Sequence, residues 1–258
     1  MISAVHPSRP RAIILDLDRT LLHTDKSLSA RAIRALLACR AKGIQIMMAT
    51  ARPYRCTLDY CEKIPFDAMT VTNGAIILCE DQRLDFPMSP QSARAMLELL
   101  CAQPGLLISL EMGNEVYSNL PIPDFDSILY DNFPNFPPGE GLYKILVNFE
   151  DQEVLSLIEA HLPPDLCYTI AGGHLIQLMS RQAGKWNGIQ AMLAFAGLTP
   201  AQAIYFGDDQ DDIAPLRHCG IGVAVENAIA DAKAAADYIT KSNDEDGVAV
   251  FLESFFQV

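Results

Sequence analysis

Two kinds of apolar pattern run along the chain. Ala12–Leu17, apolar except for Asp16, has the length of a strand buried on both faces. Ser29 then stands where a helix can be capped, Ile33, Leu36 and Leu37 share a helical face, and Gly43 ends it. Ile44–Ala49 predicts a second buried strand, with Met47 and Met48 in the core. Pro53 suits the first turn of a helix reaching about Lys63, and Ala68–Val71 predicts a third strand. This order implies right-handed crossovers and an α/β fold with a parallel sheet.

From residue 83 to residue 181 the alternation is looser, and ten of the 16 prolines fall there. That window holds 4 Lys or Arg against 13 Asp or Glu, a net charge of −9 within a whole-chain −13. The shift predicts an inserted domain over 83–181, with 1–82 and 182–258 forming one core. After it, a helix near Trp186–Ala196 precedes strands Ala203–Phe206 and Gly222–Val225. An Ala-rich helix capped by Asn227, strand Tyr238–Thr240 and a helix after Asp246 complete the pattern.

With half of 258 residues apolar, the chain can build a large core. Its acidity argues against a nucleic-acid partner, which needs a basic face. Seven Cys without a C-x-x-C pair fit reduced, mostly buried thiols in a cytoplasmic protein. Met1–Arg11 has no apolar core of a signal peptide, and no apolar run suits a membrane span.

Ligands of open parallel sheets bind beyond the carboxyl ends of the strands. Three segments follow such ends: Asp16-Leu17-Asp18-Arg19-Thr20, Thr50-Ala51-Arg52-Pro53, and Gly207-Asp208-Asp209-Gln210-Asp211-Asp212. Convergence would bring Asp16, Asp18, Asp208, Asp209, Asp211 and Asp212 together. At ~5 Å and an effective dielectric near 20, each pair repels by about 3 kcal/mol. A divalent cation relieves this, and oxygen-only donors favour Mg²⁺ over Zn²⁺. Lys185, read as a cation at the edge of the site, and the hydroxyl of Thr50 are suited to holding phosphoryl oxygens.

Ile14-Leu15-Asp16-Leu17-Asp18-x-Thr20-Leu21-Leu22, Ala49-Thr50-x-Arg52-Pro53-Tyr54, Thr72-Asn73-Gly74-Ala75, Lys185 and Gly207-Asp208-x-x-x-Asp212-Ile213 form one motif set. Asn227-Ala228 through Ala249 adds to it. The set resembles the haloacid dehalogenase (HAD) type phosphohydrolases of the Cof-type subgroup. The resemblance implies a Rossmann-like core with an inserted α+β cap. It also implies that Asp16 is the nucleophile and Asp18 the general acid and base. Mg²⁺ would be held by the carboxylates of Asp16 and Asp208 and the backbone carbonyl of Asp18, with Asp212 orienting them. Thr50 and Lys185 would bind the phosphoryl group, with Arg52 and Asn73 also placed at the substrate.

Five positions depart from the family pattern: Arg19, Ala51, Trp186 and Asp209 replace small residues, and Asp211 stands where Asn is common. Trp186 is expected to pack on the cap or narrow the site. The expected activity is Mg²⁺-dependent hydrolysis of a small phosphate ester. The acidic cap favours sugar or polyol monophosphates, with a neutral leaving group, as substrates. A phosphomutase or phosphotransferase with the same nucleophile and a non-catalytic metabolite-binding module are the alternatives. Neither nucleic acid nor membrane is expected as a partner.

Overall fold

The computed structural model describes residues 10–113, 115–122, 127–130, 132–135, 141–150 and 152–258. His6 and Arg9 lie outside the described residues, as do Pro123, Pro137 and Pro138. In chain order the elements are β1 (Ala12–Leu15), α1 (Ala30–Ala41), β2 (Gln45–Ala49), α2 (Leu58–Cys61), β3 (Ala68–Val71), β4 (Ile76–Cys79) and β5 (Gln82–Asp85). Then follow α3 (Pro90–Cys101), β6 (Ile108–Met112), β7 (Glu115–Ser118), β8 (Ile128–Leu129), β9 (Leu142–Asn148), α4 (Gln152–His161), β10 (Leu166–Ala171) and β11 (Leu175–Ser180). The last are α5 (Lys185–Phe195), β12 (Ala203–Gly207), α6 (Ile213–His218), β13 (Ile221–Ala224), α7 (Ala230–Ala235), β14 (Tyr238–Ile239) and α8 (Gly247–Phe256). The chain divides into two compact units, one of residues 1–84 with 185–258 and the other of residues 85–184.

In the first unit, an eight-stranded sheet has the order β14-β13-β12-β1-β2-β3-β4-β5. The pairs from β14 to β3 are parallel. β4 runs antiparallel to β3, so the parallel sheet read from the sequence carries a reversed strand towards one edge. Leu15 lies opposite both Phe206 and Met48, which aligns the carboxyl ends of β1, β12 and β2. All four residues of β1 are fully buried, as the apolar run requires; the strand stops at Leu15, where Asp16 begins the turn.

Local chemistry explains most element ends. The Ser29 hydroxyl accepts from the Ala32 N–H at 2.9 Å, and Gly43 takes φ +81° after α1. Pro53 does not enter a long helix: it precedes a 3₁₀ turn at Tyr54–Thr57, followed by the single-turn α2. Asn227 is not a cap either. Ile229 flanks α7, and Asn227 Nδ2 instead donates to the Arg19 carbonyl at 2.7 Å.

The second unit has a six-stranded sheet ordered β10-β11-β9-β6-β7-β8. Its strands alternate more strictly than the sequence suggested. Ile108, Leu110, Met112, Ile145, Val147, Ile176 and Leu178 pack with α3 and α4 in one core. Among the intervening positions Ser109, Glu111, Lys144 and Gln177 are polar and buried; Lys144 Nζ donates to Gln177 Oε1 at 2.9 Å and lies 3.8 Å from Glu111. No helix among the described residues is long and apolar enough to cross a membrane. The seven cysteines are all free, but only Cys39 and Cys219 are buried, so the expectation of mostly buried thiols is corrected.

Candidate active site

The turn after β1 starts the site. Asp16 follows the strand with its N–H donating to the Phe206 carbonyl at 3.0 Å, which ties it to β12. The chain then winds through Leu17–Leu21, with Arg19 at φ +59°. A left-handed conformation is costly for a side chain, which explains why glycine suits this position. Thr20 Oγ1, inside the same turn, donates to Asp208 Oδ1 at 2.8 Å.

Asp212 is the hub of the loop after β12. Its Oδ2 accepts the backbone N–H groups of Asp208 at 2.8 Å and Asp209 at 3.0 Å. Its Oδ1 accepts Lys185 Nζ at 2.6 Å and the Tyr205 hydroxyl at 2.5 Å. Gly207 is required for this: a Cβ there would lie 2.6 Å from the Asp212 carboxyl carbon. Lys185 opens α5, also reaches Asp16 Oδ1 at 2.9 Å, and faces Asp211 Oδ2 at 3.3 Å.

Six aspartates were expected to converge, and the structure brings together three. One carboxylate oxygen each from Asp16, Asp208 and Asp212 lies within 4.8 Å of the others, all three buried. Asp211 flanks them through Lys185 and accepts from Asn73 Nδ2 at 2.8 Å. Asp209 turns away, its carboxylate accepting the Gln210 N–H at 2.8 Å. Asp18 also stands apart. Arg52 grips its two oxygens at 2.7 and 2.8 Å, and Lys26 adds a third contact at 2.7 Å. Thr50 is buried between β2 and this arginine, its hydroxyl accepting the Arg52 N–H at 3.1 Å.

Lys185 is not an edge cation, as read from the sequence; it is 4% exposed. Burial alone would lower its pKa, but Asp16, Asp211 and Asp212 hold it well above the usual lysine value. Burial raises Asp16 well above the carboxylate range; Lys185 opposes this, and Asp212, Asp208 and Asp211 add to it. Asp208 is pushed up to about 7, first by burial and then by Asp212. Burial would raise Asp18 as well, but the hydrogen bonds from Arg52 and Lys26 bring it down to about 2.

Burial first, and then the crowding of carboxylates, raises Asp16 and Asp208. One ammonium serves three carboxylates, with that of Asp208 beside them, and the donors are oxygen only, which fits a hard divalent cation. The Asp16 and Asp208 carboxylates are the natural donors. Asp212 already accepts four hydrogen bonds, so its oxygens are committed to holding the loop.

Two contributors were not legible as site residues. Tyr205, buried in β12, supports Asp212 from below; its only advance signal is a phenol in an otherwise apolar strand, which needs a partner. Lys26 comes from a loop with no pattern at all. The ring of Trp186 lies 5.5 Å, centroid to centroid, from that of His218 at the end of α6. The C-terminal motif stretch clamps the first loop. Asn243 donates to Leu22 O at 3.1 Å and through its N–H to Asn227 Oδ1 at 2.9 Å, while Asp244 accepts from Thr24 and Asp246 pairs with His23.

Sheet order, the inserted second unit and the buried carboxylates define a doubly wound α/β class of protein whose ligands lie beyond the carboxyl ends of the central strands. The chain matches the haloacid dehalogenase-like hydrolases over residues 13–252 and belongs to that family, in its Cof-type branch. It is 25% identical over 269 residues to the 5-amino-6-(5-phospho-D-ribitylamino)uracil phosphatase YitU of Bacillus subtilis (strain 168), covering 97% of this chain and 99% of that protein. Its fold is similar to that of BT1666 from Bacteroides thetaiotaomicron, a phosphatase of the same superfamily. The TM-score is 0.85 at 24% identity, covering 97% of this chain and 96% of that one. The HAD subclass IIB sugar phosphatase BT4131 superposes with a TM-score of 0.82 at 22% identity, covering 96% of this chain and all of that one. Members of this superfamily use a metal ion, in keeping with the buried aspartates.

Proposed function

We propose that the chain is a Mg²⁺-dependent phosphatase of small phosphorylated metabolites, acting through an aspartyl-phosphate on Asp16. The observation carrying this reading is the buried Asp16 carboxylate, 2.9 Å from Lys185 and within reach of Asp208 and Asp212. An Asp16 oxygen attacks phosphorus as the ester oxygen departs, and Lys185 and Thr50 hold the phosphoryl oxygens. Asp18 gives its proton to the leaving alkoxide and then removes one from the water that cleaves the aspartyl-phosphate. A carboxyl gripped by Arg52 and titrating at about 2 is a poor acid, so this role requires Asp18 to leave Arg52. The carboxylates of Asp16 and Asp208 and the Asp18 carbonyl would hold Mg²⁺, which supplies charge neutralisation for the crowded carboxylates and the phosphoryl oxygens.

The net −9 of residues 83–181 disfavours a second anionic group on the substrate and favours sugar or polyol monophosphates. The relative YitU, named for a phosphorylated ribityl compound, and the sugar phosphatase BT4131 support that class. The test is phosphate release from a panel of monophosphates, bisphosphates and nucleotides with Mg²⁺, at fixed ionic strength. Polyol and sugar monophosphates should lead, and Asp16→Asn should lose at least about 1,000-fold in kcat. Full activity in Asp16→Asn, or a clear preference for bisphosphates, overturns the corresponding assignment. Product that appears only with an acceptor would identify a phosphotransferase instead.

A further inference from the structure

Asn73 sits on a turn that its backbone resists. Thr72 and Asn73 take φ of 53° and 52°, a region most side chains avoid and β-branched ones especially, before Gly74 at 87°. The Thr72 N–H donates to the Arg52 carbonyl at 2.9 Å, and the Asn73 N–H to the Thr50 carbonyl at 3.1 Å. Strain of this kind persists only where the surroundings over-determine it.

The turn presents the Asn73 amide, which is 1% exposed. Nδ2 donates to Asp211 Oδ2 at 2.8 Å, while Oδ1 has no hydrogen-bond partner. An ionised carboxylate only accepts, so the amide must turn its NH₂ towards Asp211 and leave its own oxygen bare. The oxygen of Asp211 that takes this bond is also the one facing Lys185 Nζ at 3.3 Å. Asn73 thus reaches the lysine through one intermediate side chain.

We propose that Asn73 is a positioning residue: it fixes Asp211, and Asp211 fixes the Lys185 ammonium against Asp16 and Asp212. The proposal rests on reading Lys185 as the phosphoryl-binding cation, and it removes Asn73 from direct contact with the substrate. Lys185 is closest to Asp212, at 2.6 Å, and Asp16 is at 2.9 Å. Without the brace, the ammonium settles towards Asp212, and phosphoryl binding weakens more than turnover does. Asp211, one of the departures from the family pattern, then has a defined task.

A double-mutant cycle on the full chain tests this, with p-nitrophenyl phosphate and Mg²⁺ as the assay and calorimetric binding of inorganic phosphate as a second readout. Asn73→Gly removes the amide without penalising the left-handed backbone. Asn73→Gly and Asp211→Ala should each raise KM about 10-fold with a smaller change in kcat, the size of one charge-assisted hydrogen bond. The double variant should be no worse than Asp211→Ala alone. Asp211→Asn, which keeps an oxygen for both partners, should recover most of the loss. Phosphate affinity should follow the same order. Additive losses, about 100-fold in the double variant, would show that Asn73 acts independently and would overturn the proposal. So would an unchanged KM in Asn73→Gly. Wild-type protein that neither hydrolyses esters nor binds phosphate would instead overturn the phosphatase reading.

Discussion

The Tyr205 hydroxyl and the Lys185 ammonium converge on the same oxygen of Asp212, at 2.5 and 2.6 Å, so one buried carboxylate joins β12 to the start of α5. Tyr205→Phe removes only the hydroxyl's hydrogen bond to Asp212. Asp212 keeps three donors, so the loss should be about 1–2 kcal/mol in denaturant unfolding, without loss of the fold. An unchanged unfolding midpoint would show that this bond contributes nothing.

Removing Lys185 is a different matter. Lys185→Met leaves Asp16, Asp211 and Asp212 facing one another without their shared cation. Breaking such a buried pair costs about 3–5 kcal/mol. Thermal unfolding in EDTA should therefore drop sharply, and millimolar Mg²⁺ should restore more stability to the variant than it adds to the wild type. Equal stabilisation of both proteins would contradict the charge argument.

Gly188 lies one turn along α5 from Lys185. A Cβ at this position would meet Thr70 Oγ1 at 2.3 Å and the Gly74 Cα at 2.7 Å. Because one of those contacts is backbone, Gly188→Ala must push α5 off β3. The expected loss is about 1–3 kcal/mol, with Lys185 withdrawn from Asp16. Denaturant unfolding and kcat/KM should fall together; a variant as stable and active as the parent would show that the helix can give way freely.

Burial pushes the Cys39 thiol up to about 11 and Cys219 up to about 12. Unfolded thiols ionise near about 8.5. The folded state therefore gains its full benefit from these two neutral thiols below that value, and loses it as pH rises towards 11 and 12. At pH 8, iodoacetamide should modify exposed Cys101 well before Cys39 and Cys219, as read by peptide mass mapping. Early modification of the buried pair would indicate local opening of α1 or α6.

The parallel part of the core sheet was legible because β1, β2, β3 and β12 are buried runs, and hydrophobic continuity is a local property. The position of the site at their carboxyl ends followed from topology. Side-chain direction did not follow. Asp18 and Asp209 belong to the same short segments as Asp16 and Asp208, yet each turns to a nearer partner, Arg52 or the Gln210 N–H. Asn227 was read as a cap because its class favours caps, but a carbonyl at Arg19, distant in sequence, claims its amide. Burial of Lys185 was equally hidden, since it depends on three carboxylates from two separate segments.

β1 pairs with β2 on one side and β12 on the other, and the second of these partners begins only at Ala203. During synthesis at about 5–20 residues per second, the strand that ends at Leu15 waits roughly 10–40 seconds with one edge bare. The chain must finish an entire intervening body before its central strand is sealed, so that edge stays open to mispairing until β12, in the last third of the polypeptide, has emerged.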